Sequence, residues 1–536
     1  MSQSSQVALS RSSAATALHR PTNNSTILMF MVLLIGGLLF AGLNLFHDVS
    51  HTMVRSGSWI SVGLLIIALL IALGFEFVNG FHDTANAVAT VIYTHSLPPQ
   101  VAVVWSGLFN FLGVLTSSGA VAFGIISLLP VELILQVGSN SGFAMVFALL
   151  IAAILWNLGT WWLGLPASSS HTLIGSIIGV GIANALMHGR DGTSGVDWAQ
   201  VSKVGYSLLL SPVIGFICAA ILLWLLKRVV SQPQLFDAPK DKNAPPWWIR
   251  SLLVLTCSGV SFAHGSNDGQ KGMGLIMLIL VGTVPLSYGL NHALPASEMG
   301  RFVLVAEATQ QSLQQAQPAA APQQPRTVLT RYIRDQHWEA DIVPALAAVT
   351  GQIGQQIHAH GSLAAMPDAS VGNVRNDMYL ASETIRLLQQ SKDAHLDPHT
   401  LANLKTFKGE LDAATKFIPI WVKVAVAIAL GLGTMVGWRR IVVTVGEKIG
   451  KTHLSYAQGA SAELVAMATI GAADAFGLPV STTHVLSSGV AGTMAANRSG
   501  LQIDTIRNLL MAWVLTLPVA IALSASLYWL FSKLFV

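Results

Sequence analysis

Two short polar strings interrupt long apolar runs of the sequence, at residues 80–87 and 265–272. Each contains an aspartate, and a charge at the centre of a bilayer costs about 2.5 kcal/mol or more. A carboxylate in such a place is functional by default and has a partner. Two similar strings in two apolar runs therefore indicate an internal duplication. The aligned pairs are His82 with Asn267 and Asp83 with Asp268.

Carboxylates, amides and unwound backbone carbonyls in these strings are hard oxygen ligands that suit sodium or a divalent ion. In a low dielectric the carboxyl groups can instead be protonated, because burial disfavours their charged form. Either chemistry would couple a cation or proton to an anion. The alternative, polar groups that only join helices, is disfavoured for a matched pair of aspartates. The predicted cation- or proton-coupling residues are Asp83, Asn86, Asn267 and Asp268.

A second pair of strings, residues 164–171 and 477–484, shares the pattern Gly-Leu-Pro-x-Ser-(Ser/Thr)-(Ser/Thr)-His. The two strings are 313 positions apart, whereas the aspartate strings are 185 apart. The difference of 128 positions is close to the length of a polar insertion at 289–416. One duplication followed by one insertion explains both offsets.

Each of these Pro- and hydroxyl-rich strings predicts a helix that restarts inside the membrane, because Pro favours a first turn and hydroxyls cap free N–H groups. Such a helix N-terminus binds an oxyanion well. Two facing N-termini could hold a tetrahedral anion near the midplane. The alternative is that the hydroxyls only bond back to helix carbonyls. The predicted anion-binding residues are Ser168, Ser169, Ser170, Ser481, Thr482 and Thr483.

Lys271 stands where the first string has Asn86. It could neutralise Asp268, three positions earlier on a helix, or face the anion, and both readings stay open. Each histidine of the strings is either a packing residue or part of the site, and no metal ligand set is assigned. The further candidates are His82, Glu76, Lys271, Gln270, His171 and His484. The intramembrane acids expected to lie away from the site are Glu463 and Asp474.

The composition is that of an integral membrane protein. Of 536 residues, 52% are hydrophobic and only 10% are charged, against about 25% in soluble domains. Several apolar runs are long enough to cross about 30 Å of hydrocarbon. The net charge of +4 is attributed to cytoplasmic loops, not to nucleic-acid binding, since no basic stripe with aromatics occurs. Cys218 and Cys257 both lie in apolar segments and are expected to be packing residues rather than a disulfide.

The predicted fold is all-α, with two inverted-topology repeats of about five membrane segments each and with broken or re-entrant helices. An extra N-terminal segment and a helical extramembrane insertion complete it. The predicted parts are a disordered tail (1–26), an extra membrane segment and loop (27–57), a first transport repeat (58–226), a basic linker (227–250), the start of the second repeat (251–288), the insertion (289–416) and the rest of the second repeat (417–536).

Two short basic loops, 227–250 and 439–451, predict the orientation, because such loops stay in the cytoplasm. One crossing lies between the first loop and the insertion, and one more returns the chain to the second loop. The insertion is therefore expected in the periplasm. Counting crossings also gives the two members of each string pair opposite directions, which is the pattern of secondary transporters.

The sequence of the insertion predicts a small water-exposed helical subdomain. A stripe of aliphatic side chains from Ile342 to Ile357, at spacings of three and four, predicts an amphipathic helix. A second helical stretch from about Asp377 is expected to break near Asp397-Pro398. Residues 308–325, rich in Gln, Ala and Pro, are expected to be flexible.

Three strings resemble those of the inorganic phosphate transporter (Pit) family: Gly-Phe-His-Asp-Thr-Ala-Asn-Ala, Ser-Phe-Ala-His-Gly-Ser-Asn-Asp-Gly-Gln-Lys-Gly and Pro-Val-Ser-Thr-Thr-His. The likeness covers nearly the whole chain from about residue 58 and is closest to the bacterial low-affinity transporters. It implies phosphate uptake across the bacterial inner membrane by cation symport. The bacterial branch is proton-coupled and takes phosphate with a divalent metal such as magnesium, and other members use sodium.

The resemblance carries over to the motif positions Asp83, Asn86, Asn267 and Asp268 and to the hydroxyls at 168–170 and 481–483. The second aspartate string departs from the fuller Asn-Asp-x-x-Asn-Ala form, because it has Gln270, Lys271 and Gly272 there. This departure leaves open whether both halves bind a cation equally.

Rival functions are transport of sulfate or another tetrahedral oxyanion, sodium-coupled phosphate transport, and transport of a divalent cation bound by His82 and Asp83. An intramembrane metal-dependent hydrolase built on the same pair is a further rival. Because no H-E-x-x-H string occurs, the chain is expected not to be an enzyme, and it needs no cofactor beyond the transported ions. The expected partners are inorganic phosphate and membrane lipid. A homo-oligomer is compatible with the sequence, which fixes no oligomeric state.

Overall fold

The computed structural model describes residues 24–53, 59–83, 85–239, 244–391 and 393–535, and the regular secondary structure of these residues is helical apart from one isolated β-bridge. Residues 1–23 of the predicted disordered tail lie outside the described residues, whereas residues 24–26 already belong to the first helix. The all-helical prediction is confirmed. Both cysteines are free.

The helices before the insertion are α1 (Asn24–Met53), α2 (Trp59–Asp83), α3 (Ala85–Tyr93), α4 (Pro99–Thr116), α5 (Ala120–Ile126), α6 (Val131–Gln136), α7 (Asn140–Trp162), α8 (Ser169–Met187), α9 (Trp198–Val229), α10 (Pro233–Phe236), α11 (Trp247–Thr283) and α12 (Pro285–Tyr288). The insertion contains α13 (Ala296–Ala316), α14 (Pro325–Asp335), α15 (Ile342–His360), α16 (Asp368–Gln390) and α17 (Pro398–Thr415). The chain ends with α18 (Ile420–Thr434), α19 (Arg439–Val443), α20 (Tyr456–Ala475), α21 (Thr482–Ala496) and α22 (Ile503–Phe535).

Seven helical stretches in the described residues are long and apolar enough to span a membrane, or eight if the bent pair α17–α18 is counted. These seven include α1, the stretch Ile60–Tyr93 and α22. Helices α20 and α21 were expected to be spanning segments. Neither they nor α11 are both long and apolar enough to be counted as spanning helices. Helix α21 has only 15 residues, and α11 carries the polar string 265–272, which is buried among other helices.

The last helix before the basic linker and the last helix of the chain each pack against helices from the other part of the chain. Helix α22 packs against α7 and α8, and α9 packs against α20 and α21. Helices α2 and α11 contact each other at the centre, and α3 contacts both α11 and α21. The two aspartate strings and the two Pro- and hydroxyl-rich strings therefore lie close together inside the protein.

The first glycine of each aspartate string allows a neighbouring helix to approach closely. A Cβ atom on Gly80 would lie 2.2 Å from the carbonyl oxygen of Leu430 in α18. A Cβ atom on Gly265 would lie 2.2 Å from the carbonyl oxygen of Asn110 in α4. Real side chains do not fit at such distances, so these glycines fix α18 and α4 against the strings.

The insertion has its own hydrophobic core, formed by α13 to α17. The predicted stripe is confirmed, because α15 buries its aliphatic side chains from Ile342 to Ile357. The predicted break is also present, with Asp397 capping α17. Flexibility was wrongly expected for residues 308–316, which belong to α13, where Leu313 is buried in the core.

Candidate functional site

Both Pro- and hydroxyl-rich strings form the tip of a helical hairpin, as predicted. Between α7 and α8, and between α20 and α21, the chain turns through Gly164 and Gly477 with φ of +69° and +64°. Ser168 and Ser481 then cap α8 and α21, each accepting a 3.2 Å hydrogen bond from the backbone N–H three residues later. The other N–H groups of the first turns keep the positive end of each helix dipole directed at the tip.

The two tips meet. Ser170 Oγ, at the start of α8, donates a 2.7 Å hydrogen bond to the carbonyl oxygen of Val480 in the opposite tip. The rings of His171 and His484 are 4.7 Å apart, and His484 stacks on Trp513 at 4.0 Å. The histidines therefore contribute ring contacts at the junction of the tips.

Asp83 in the first aspartate string is bound by the tip of the second half. Thr483 Oγ1 donates a 2.7 Å hydrogen bond to Asp83 Oδ1 and accepts one of 2.9 Å from Asn86. His82 places Nδ1 3.0 Å from Asp83 and Nε2 3.1 Å from Thr160 Oγ1. Four of the candidate site residues, His82, Asp83, Asn86 and Thr483, are thus in direct contact, and all are buried.

The second aspartate string lies within the continuous helix α11, so the unwound carbonyl ligands expected there are absent. The helix stays intact because side chains satisfy the string. Lys271 Nζ is 2.7 Å from Asp268 Oδ1 and donates a 2.6 Å hydrogen bond to Ser170 Oγ. The pairing of Lys271 with Asp268 is therefore present, and the contact with Ser170 places the ammonium beside an anion-binding candidate, while its role toward the anion stays a prediction.

The other departures of the second string also have structural reasons. Gln270 Nε2 donates a 2.6 Å hydrogen bond to Asp474, and its Oε1 accepts one of 2.9 Å from the N–H of Val121. A Cβ atom on Gly272 would lie 2.2 Å from Glu76 Cγ, so only glycine leaves room for that buried acid. Glu76 is therefore near the site, as expected. Asp474 was wrongly placed away from it.

Asn267 differs in position from the other coupling candidates. Its Nδ2 donates a 3.0 Å hydrogen bond to the carbonyl oxygen of Leu478, and its Oδ1 accepts a 3.4 Å hydrogen bond from the N–H of Val480. It thereby holds the second tip against α11. Glu463, by contrast, is bound by Thr256 at 2.5 Å and by Thr90, away from the two aspartates.

The six predicted anion-binding hydroxyls are at most 1% exposed, so the site is closed to solvent in this conformation. Ser168 and Ser481 are occupied as caps, and Ser169 accepts a 3.3 Å hydrogen bond from Asn157. Thr482 Oγ1 makes no hydrogen bond within the described residues. The groups that could donate to an anion include this hydroxyl and the first-turn N–H groups of α8 and α21.

His264 belongs to the site but was not among the predicted site residues. Its Nε2 is 3.5 Å from Asp268 Oδ2, one helical turn along α11. Asp83, His264 and Asp268 offer ligand atoms that lie within 4.8 Å of one another, and such a set could hold a metal ion. The i, i+4 spacing of His264 and Asp268 was the sequence signal that could have identified it.

The model of the phosphate transporter family (PHO4) matches residues 79–524. The chain belongs to the phosphate transporter family. Its members are transporters, which confirms both the resemblance and the prediction that the chain is not an enzyme.

Relatives in the family match almost end to end. The low-affinity inorganic phosphate transporter PitA of Escherichia coli (strain K12) is 42% identical over 517 residues, covering 92% of this chain and 98% of the relative. PitB of the same strain is 42% identical over 485 residues, with 87% and 96% covered. Among solved structures, "The sodium-dependent phosphate transporter" matches with a TM-score of 0.47 and 20% identity, covering 88% of this chain and 100% of that chain.

Proposed function

We propose that the protein is a secondary active symporter that imports inorganic phosphate across the bacterial inner membrane. Protons are the proposed coupling ions, and phosphate is carried as a complex with a divalent metal such as magnesium. The proposal is supported by the names of the PitA and PitB relatives. The observation that carries it is the junction of two hydroxyl-rich helix N-termini beside Asp83 and Lys271.

The tips form the proposed phosphate-binding half of the site. Thr482 and the first-turn N–H groups of α8 and α21 donate hydrogen bonds to phosphate oxygens, and the two helix dipoles favour the negative charge. Ser169 and Ser170 line the same junction. Lys271 adds a positive charge next to Ser170 without leaving Asp268.

Asp83 and Asn86 form the proposed cation-handling half. A proton or cation that binds at Asp83 competes with the hydrogen bond from Thr483, because both use the carboxylate. Loading and release of the coupling ion therefore change how firmly the second tip is held. That link is the proposed basis of coupling, in a site closed to both sides at this stage of the cycle.

We also propose that the two halves are inverted repeats. Reciprocal packing supports this, because α8 packs on α22 as α21 packs on α9, and α2 packs on α18 as α11 packs on α4. In this scheme α2, α4, α7, α8 and α9 correspond to α11, α18, α20, α21 and α22. The two hairpin tips then approach the midplane from opposite sides.

The insertion is placed in the periplasm in this scheme. Its Arg386 is 2.6 Å from Asp197, which belongs to a loop on the predicted outer side. Burial of Arg386 disfavours its charge, but Glu383 and Asp197 outweigh burial and raise its pKa above the ordinary value. At the other end, Tyr93 donates a 2.8 Å hydrogen bond to Glu447 of the second basic loop.

The test is uptake of labelled phosphate into liposomes that contain the purified protein. We expect Asp83→Asn to abolish uptake while the protein remains folded in the membrane. Full uptake by this variant, still driven by the same ion gradient, would refute the proposed coupling role of Asp83. Proton and sodium gradients, each with and without magnesium, decide the coupling ion and the metal complex.

The alternatives are transport of another tetrahedral oxyanion, such as sulfate, and sodium-coupled phosphate transport. Competition separates the first, because arsenate mimics phosphate more closely than sulfate does. We expect arsenate, and not sulfate, to reduce uptake of labelled phosphate. Uptake under a sodium gradient alone would favour the second.

A further inference from the structure

Lys271 is one of the largest fully buried side chains among the described residues. It lies in α11 at the position that aligns with Asn86 of the first string. Its ammonium group contacts Asp268 Oδ1 at 2.7 Å and Ser170 Oγ at 2.6 Å. A buried ammonium is tolerated only when it is paired and hydrogen-bonded, and both conditions are met here.

The two aspartates therefore differ in what balances their charge. Asp268 has an ammonium group in contact, supplied by its own helix three residues later. Asp83 has the hydroxyl of Thr483 and the imidazole of His82, and neither group is a permanent cation. Asp268 is thus paired with an ammonium group, whereas Asp83, whose carboxylate belongs to the same cluster, is held by a hydroxyl and an imidazole.

The residue at position 271 also changes the number of oxygen ligands. An asparagine there would offer an amide oxygen, which is a good ligand for a hard cation. Lysine has three donors and no acceptor, so it can bind no cation. Compared with an asparagine, Lys271 thus adds a positive charge and lacks the oxygen ligand at the same position.

We propose that the Lys271 ammonium takes the place of a coupling cation at Asp268. The protein then loads one coupling cation per cycle, beside Asp83, and the second half binds none. This inference rests on the proposed coupling roles of Asp83 and Asp268, and specifies them for this chain. It predicts that an amide at position 271 creates a cation site that the natural protein lacks.

Sodium binding to the full-length protein in detergent tests this without phosphate. The Asp83→Asn variant removes the charge of the first carboxylate and serves as the common background, so a difference in sodium binding between variants reports on position 271. We compare it with the double variant Asp83→Asn/Lys271→Asn, in sodium chloride and in choline chloride of equal ionic strength. We expect sodium to raise the midpoint of thermal unfolding of the double variant by about 2 °C or more, and that of Asp83→Asn not at all.

The matched control is Asp83→Asn/Lys271→Met, which removes the charge and adds no oxygen, and which we expect to be insensitive to sodium. If the asparagine variant does not fold, Lys271→Gln supplies an amide on a longer side chain and replaces it. Equal unfolding midpoints in the two salts for the amide variants would overturn the inference. Stabilisation of Asp83→Asn by sodium to the same extent would also overturn it.

Uptake into liposomes gives a second readout. We expect sodium to stimulate phosphate uptake by Lys271→Asn more strongly than uptake by the natural protein. Uptake by Lys271→Asn that is as insensitive to sodium as that of the natural protein counts against the inference. A natural protein that takes up no phosphate would instead overturn the proposed function, and the sodium-binding comparison would still decide the role of Lys271.

Discussion

Replacement of Thr483 by valine tests whether the contact between the second tip and the first aspartate string is needed for transport. Valine keeps the branched shape of threonine and replaces its hydroxyl with a methyl group. The lost group donates to Asp83 at 2.7 Å and accepts from Asn86 at 2.9 Å, in a site that is at most 1% exposed. A hydrogen bond to an ionised group contributes about 1.5–3 kcal/mol, which is about tenfold to 150-fold in an equilibrium constant.

We expect the open conformations to lack this contact, so its loss should weaken the closed conformation by this amount. Transport passes through the closed conformation in every cycle, so the maximal rate of phosphate uptake should fall about tenfold or more. The assay is initial-rate uptake into liposomes over a range of phosphate concentrations. Thr483→Ser is the matched control, since it keeps the hydroxyl, and it should retain most of the rate. A Thr483→Val rate within twofold of the natural rate would refute the reasoning.

Two further predictions concern stability. Gly272→Ala places a methyl group 2.2 Å from Glu76 Cγ. It should lower the free energy of unfolding by ~1–3 kcal/mol and lower the midpoint of thermal unfolding. Adding Glu76→Ala should restore that midpoint. Burial raises the pKa of Asp412 in the insertion, but the ammonium groups of Lys416 and Lys408 outweigh it and hold the pKa below 3.8. Its contribution to stability should be full above pH 3.8 and lost as the pH falls through the folded pKa. Protection of α17 against hydrogen exchange, taken relative to the intrinsic exchange rate at each pH, should therefore fall with acidification, and less steeply in Asp412→Asn.

Local pattern was enough to find the tips and the insertion. A Pro followed by hydroxyls defines a helix start from a few neighbouring residues, and Ser168 and Ser481 cap helices where the strings placed them. The stripe from Ile342 is likewise a property of one helix. These features depend on contacts within a short stretch, and such contacts are visible in the sequence.

Contacts between distant parts of the chain were not visible. The polarity of residues 265–272 suggested an unwound helix, but Asp474 and Ser170 satisfy that string from other helices and leave α11 intact. His264 was passed over because the alignment of the two strings began one residue later. Asp474 was placed away from the site because nothing in the sequence shows how α20 packs on α11.

The hairpin tips are bonded across the two halves, and this arrangement gives the proposed coupling a physical route. Ser170 of the first tip holds Lys271 of the second half, and Thr483 of the second tip holds Asp83 of the first half. In the proposed mechanism the contact between Ser170 and Lys271 is kept throughout the cycle. Asp83 gains and loses the coupling ion in this proposal, so only the hold on the second tip changes. If the cycle is driven in this way, the tip of α21 is the one that responds to the coupling ion, and the tip of α8 provides the fixed side of the phosphate site.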